Sequence, residues 1–393
     1  MTELAALARV HTAGDGSPVE QLTCHPRLPL VAGTAGGSRL VRIWDFSGGR
    51  LRELAHVDLG PEPAEHPTGH WPGQRLPLAW HPEEALLYVT DGTGLTRWTP
   101  DGPSKVEPSP APYGHLAFSP DGDHLWASPS ADDRETSDVL DLATGSTGTA
   151  RGWDTGVAAH PSGALLATLV SDQGATYCLF ARPAAGGMRP LRHALILDVD
   201  GYGTPLFSAD GRHLAIRGNA YFDSVDVFAF PSLRRILSVS LREPGESEEW
   251  PQQNLAFGAA PGVLWIGSPT GTLLELDVAT REAVEHELLA GVALSALTST
   301  ATGHLLAARA DGELVLLSAH PAPAATAAAG DDVAAFLAAT EDVPDDGDLE
   351  DHLVITDGSG TWSQGDLATL TEAAATDPTW LQLRAAVNRV LAG

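Results

Sequence analysis

Four side chains in one short stretch, Glu62, Glu65, His66 and His70, carry the oxygen and nitrogen donors that could hold a divalent metal. Pro61, Pro63, Pro67 and Pro72 interrupt the stretch and prevent a regular helix from converging those donors, so a solvated loop is the expected reading. His25, His81 and His160 each precede a proline at a repeating position. Catalysis would need them to converge, whereas the repetition holds them apart, and they are expected to be turn and packing residues. Asp198 and Asp200 before Gly201 resemble the start of a calcium loop but lack its remaining carboxylates. Cys24 and Cys178 each sit in an apolar run and read as small buried thiols. No serine elbow, phosphate loop, zincin motif or dinucleotide fingerprint stands in its required context, and neither a metal nor a cofactor is expected.

The elements that would carry these residues are short strands. From Val19 onward an apolar strand runs into a turn and a second apolar strand, seven times over. The turns are His25-Pro26, His81-Pro82, Ser119-Pro120-Asp121-Gly122, His160-Pro161-Ser162-Gly163, Ser208-Ala209-Asp210-Gly211, Gly258-Ala259-Ala260-Pro261-Gly262 and Thr300-Ala301-Thr302-Gly303. Their mean separation of about 46 residues is that of four-stranded propeller blades. Within one unit the strands follow as Asn254 to Phe257, Val263 to Gly267, Thr272 to Val278 and Ala283 to Leu289, with turn residues between them. Repetition of such a meander predicts an all-β, seven-bladed β-propeller over residues 1–320.

The stretch Val41-Arg42-Ile43-Trp44-Asp45 matches the third strand and Trp-Asp ending of the WD40 repeat. Leu95-Thr96-Arg97-Trp98 keeps the Trp, while Val139-Leu140-Asp141-Leu142 and Leu274-Glu275-Leu276-Asp277 keep only the Asp. Asp91-Gly92, Asp311-Gly312 and Asp172 match the turn between second and third strands, and Gly69-His70 and Gly114-His115 are candidates for the family's Gly-His pair. The chain thus resembles a degenerate bacterial WD40-type propeller. That resemblance implies closure of the ring by a strand from the N-terminus, and the run Leu4 to His11 would supply the strand that blade seven lacks before Pro321.

After a linker at 321–330, residues 331–393 are expected to form a small, mainly helical extension. Val333, Phe336 and Leu337 mark one face of a first helix, Leu353 to Thr356 a strand, Ser363 with Asp366 a helix start, and Asp377-Pro378 the start of a last helix. Trp380, Leu383, Val387 and Val390 are expected to be its packing face, docked on the chain's own propeller or on a second chain.

The 51 acidic and 23 basic residues give a net charge of -28, which argues against nucleic acid and anionic membranes. No secretory leader or apolar span is evident, and a cytoplasmic location is expected. Long connections occur at Gly60 to Arg75, Pro129 to Thr136, Arg217 to Asp223 and Arg242 to Gln253, all in classes that emerge on one face of a propeller. That face would present Trp71, His70, Asp132, Asp133, Tyr221, Phe222, Glu246, Glu248, Glu249 and Trp250. Aromatics among acids suit a protein or peptide partner with a basic surface, so the expected function is a non-catalytic interaction scaffold or sensor. The competing expectation, a propeller-type hydrolase or lactonase at the channel mouth, needs carboxylates or histidines where innermost strands begin, and those positions read mainly as Val, Leu and Gln.

Overall fold

The computed structural model describes residues 4–12, 17–60, 75–91, 94–106, 113–130, 135–172, 175–198, 201–218, 223–242, 249–319, 330–344 and 347–392. The fold is a seven-bladed β-propeller with a short helical extension. Blades one to six are each built on an antiparallel meander in sequence order, and blade seven takes its fourth strand from the N-terminal segment. Blade one, for example, consists of Val19–Cys24, Leu30–Ala35, Leu40–Asp45 and Arg52–Asp58. By packing, the chain divides into two compact units, Met1–Gly152 with Pro244–Thr326, and Trp153–Glu243 with Ala327–Gly393. Blades one to three, six and seven belong to the first; blades four and five belong to the second with the extension.

All seven expected turns join first to second strands. Chemistry, more than apolar pattern, shapes them. In blades three and five the carboxylates of Asp121 and Asp210 accept the Ser119 and Ser208 hydroxyls, and each also accepts a backbone N–H two residues on. Gly122 and Gly211 then take φ of 82° and 72°, the left-handed region in which a side chain is strained. The aspartate ending the third strand has a separate task. Asp45, Asp141 and Asp277 each accept backbone N–H groups of the following turn, at 2.8–2.9 Å. This explains why the Asp persists in blades that have lost the Trp: a turn still needs its acceptor, whereas a packing position tolerates other apolar groups. Trp44 itself is fully buried, and its indole N–H meets no acceptor among the described residues.

Ring closure follows expectation. Ala5–His11 pairs antiparallel with Glu313–Ser318, from Ala5 opposite Ser318 to His11 opposite Glu313. Arg9 donates to the buried Glu313 carboxylate at 2.9 Å, and Arg309 pairs with the same carboxylate. Thr12 adds a backbone bond to Gly312 at 2.9 Å.

Blade four departs from the short-strand pattern. Its outer strands, Ala175–Ala184 and Gly187–Leu197, have 10 and 11 residues, and this long hairpin is the platform for the extension. Helix α1 (Gly330–Ala338) buries Val333 and Phe336 in a cluster with Phe180, Leu191, Phe230 and Leu233. The short helix α2 (Leu349–His352) leads into Val354–Thr356, which pairs parallel with His193 to Leu195 and extends the blade-four sheet to six strands through Thr361–Trp362. Helix α3 (Gln364–Thr369) starts on the expected capping box of Ser363 and Asp366. Helix α4 (Thr379–Ala392) is held by Asp198, which accepts the Thr379 N–H at 2.7 Å where the helix dipole favours an anion, and by Asn388, which donates to Leu367 and Leu370.

Candidate functional site

The histidines before proline are clasps between neighbouring blades. His25 Nδ1 accepts the N–H groups of Arg27 and Leu28, so the ring proton must lie on Nε2, which donates to Glu84 O in blade two at 2.8 Å. His160 repeats the device: Nδ1 accepts the Ser162 N–H and Nε2 donates to Gly211 O in blade five at 3.0 Å. His81 accepts from Glu83 and Glu84 and packs edge-on against Phe118. Gly122 and Gly211 sit directly beneath the His81 and His160 rings, where a Cβ would collide. Burial holds the His25 and His160 imidazoles below their ordinary range, against the raising effect of those carbonyl bonds.

Charged groups around the second-to-third-strand turns are likewise engaged. Arg39 of blade one pairs with the buried Asp91 of blade two and donates to Leu59 O and Gly60 O. Arg217 pairs with Asp223 at 2.7 Å and also bonds Gly218 O. Tyr113 donates to the Asp138 carboxylate at 2.7 Å, and burial followed by that acceptor's charge pushes the phenol far up. Gln253 spends its amide on both backbone groups of Leu22, in the first strand of blade one. His115, the candidate Gly-His residue, begins the first strand of blade three, where burial pushes its imidazole down to about 4.

Among the expected partner-binding residues, Glu249 is exposed and Trp250 half-buried. His70, Trp71, Asp132, Asp133, Tyr221, Phe222, Glu246 and Glu248 lie outside the described residues, as do Glu62, Glu65, His66, Gly69, Asp200 and Gly92. No group of three potential metal-binding side chains occurs among the described residues, and no described helix is long and apolar enough to cross a membrane. Cys178 is fully buried; Cys24 is partly covered, and desolvation pushes its thiol up to about 12.

One expectation is overturned, and it yields the most conspicuous surface among the described residues. Helix α4 packs through Leu381 and Ala385, not through Leu383, Val387 and Val390. Those three are 58%, 54% and 80% exposed, and Leu391 is 79% exposed. The helix has two apolar stripes, and the small Ala385 lets the first approach blade four closely, leaving the larger residues outward. Trp380, half-buried, begins the outer row. Its ring meets Tyr177 edge-on at 6.4 Å, and the Arg384 guanidinium lies 5.9 Å from its centre. Trp380, Arg384, Tyr177, Gln364 and Leu367 line a shallow cleft at the edge of the exposed stripe. Arg384 escaped the sequence reading; its i+4 spacing from Trp380 was the available signal.

No protein-family model and no curated protein matches the chain. Among solved structures it is similar to a chain of Kuenenia stuttgartiensis Hydrazine Synthase, with a TM-score of 0.57 and 14% sequence identity over 80% of this chain and 98% of that one. At that identity the likeness is one of fold alone.

Proposed function

We propose that the protein is a non-catalytic interaction scaffold in which the propeller carries protein- or peptide-binding surfaces. The observation that carries this reading is the outer stripe of α4: four large apolar side chains presented to solvent by a helix whose opposite face is locked to blade four. A helix that only filled a gap would have no use for that second stripe. The same reading extends to the long-connection face, where the exposed Glu249 and half-buried Trp250 suit a basic protein or peptide. The Trp44-Asp45 ending and the Asp turn caps support grouping the ring with WD40-type propellers, with a cytoplasmic residence as the working location.

Photo-crosslinking residues placed at Val390, at Glu249 and, as a control, at Asp121 in the cells that make the protein test this. A protein captured at Val390 or Glu249 and absent at Asp121 is the expected result; capture at neither surface removes the reading.

A further inference from the structure

The outer surface of α4 has a charge as well as an apolar stripe. Trp380, Arg384, Val387 and Leu391 follow one another at i, i+4, i+7 and i+11 and form one row, with Leu383 and Val390 beside it. Arg384 is half-buried in this row. Its Nε–H is buried without an acceptor, and among the described residues no carboxylate pairs with its guanidinium, which is left with the Trp380 ring. Most arginines that are half-buried or buried do find a carboxylate. Arg9, Arg39, Arg42, Arg182, Arg217 and Arg235 all pair with a carboxylate. Helix α4 itself contains Arg384 and Arg389 and no acid.

We infer that the stripe is the docking site of an acidic amphipathic helix of another protein, with its apolar side chains on Leu383, Val387, Val390 and Leu391 and one carboxylate on Arg384. This rests on the scaffold reading and specifies its partner. The 4-3 spacing of Leu383, Val387 and Val390 is the seam that a second helix fits by inserting side chains between successive turns. A guanidinium held at the edge of an apolar patch offers a carboxylate parallel N–H donors, so charge sets the partner's sign and orientation. A second copy of α4 would bring no carboxylate to Arg384, so the stripe does not complement itself.

The test uses the full chain and a fluorescein-labelled amphipathic helical peptide of Leu, Ala and Glu, read by fluorescence anisotropy beside a twin with Lys in place of Glu. The acidic peptide is expected to bind at least about tenfold more tightly than its twin, and Arg384→Gln to remove about tenfold of that affinity, the scale of a charge-assisted hydrogen bond. Arg384→Lys should restore part of it. Val387→Glu, at an exposed position, should abolish binding with the melting temperature unchanged; this variant and the twin decide the matter if Arg384→Gln fails to fold. No binding, equal binding of the twin, or indifference to a folded Arg384→Gln overturns the inference. So does a dimer in sedimentation that Val387→Glu dissociates, or binding to phosphatidylserine vesicles that the same variant abolishes. A protein crosslinked at Val390 without binding of the acidic peptide would leave the scaffold reading intact and overturn this partner chemistry alone.

Discussion

Two strands from opposite ends of the chain are each added to a blade edge, and they differ in kind. Ala5–His11 pairs antiparallel along almost its whole length and fills a position that every other blade fills from its own sequence. Val354–Thr356 pairs parallel over three residues on a blade that already has its four strands. The first completes a repeat. The second adds to a finished one, and beside its few backbone bonds the extension is held by side chains: Phe336 against Phe180 and Phe230, Arg182 on Asp342 at 2.8 Å and on Leu337 O, and Arg235 on the buried Asp357. A closing strand is therefore a condition of the fold, whereas the extension is a fitting that uses the fold as a base.

If that distinction is right, the largest effect comes from deleting residues 1–11. The unpaired edge of Glu313–Ser318 should lower the melting temperature by on the order of 10 °C or cause aggregation, seen by calorimetry and light scattering. An unchanged melt would put both strands in the same class. Phe336→Ala, which empties an aromatic cluster, should cost about 3–5 kcal/mol locally. Limited proteolysis should then cut within 330–392 while blades one to three stay intact; global unfolding instead would show that the extension is part of the fold's foundation.

How much of this was legible in the sequence depends on what each residue answers to. The turns were readable because Asp121, Asp210 and the glycines after them answer to local backbone chemistry, which a few adjacent residues specify. The closing strand was readable because a repeat with a missing member announces what it lacks. The packing face of helix α4 was not, because Leu381 with Ala385 and Leu383 with Val387 have the same spacing, and periodicity cannot choose between two apolar stripes. The choice was made by blade four, whose long outer hairpin no local signal around Arg182-Pro183 disclosed. The residues expected to bind a partner were drawn from connections between strands, where neither period nor turn chemistry fixes a position.

Smaller effects sharpen the contrast between repeated and added parts. His160→Gln should cost about 1–2 kcal/mol by breaking the clasp to Gly211, measured by denaturant titration. It should also flatten the acid limb of the stability curve. Because burial depresses the folded-state pKa of His25 and His160, the unfolded chain binds more protons below the ordinary value of 6.5. Their contribution is present above that value and is lost as pH falls through the lower folded-state values. Least of all, Leu383→Ser with Val387→Ser should change stability by no more than about 0.5 kcal/mol, because both side chains already stand in water. A larger loss would mean that the stripe is covered in the isolated protein.

The parallel pairing of Val354–Thr356 has a consequence for the order of synthesis. The strand it pairs with, Gly187–Leu197, leaves the ribosome more than 150 residues earlier. At ordinary elongation rates its outer edge waits on the order of ten to thirty seconds for a partner, while Ala5–His11 waits still longer for blade seven. The two waits expose different things: a short strand alone is soluble and harmless, but a finished 11-residue sheet edge is a template for any other extended chain. That edge carries Arg189, Arg192 and His193, and Pro190, which cannot donate a backbone hydrogen bond, all residue types that disfavour edge-to-edge pairing.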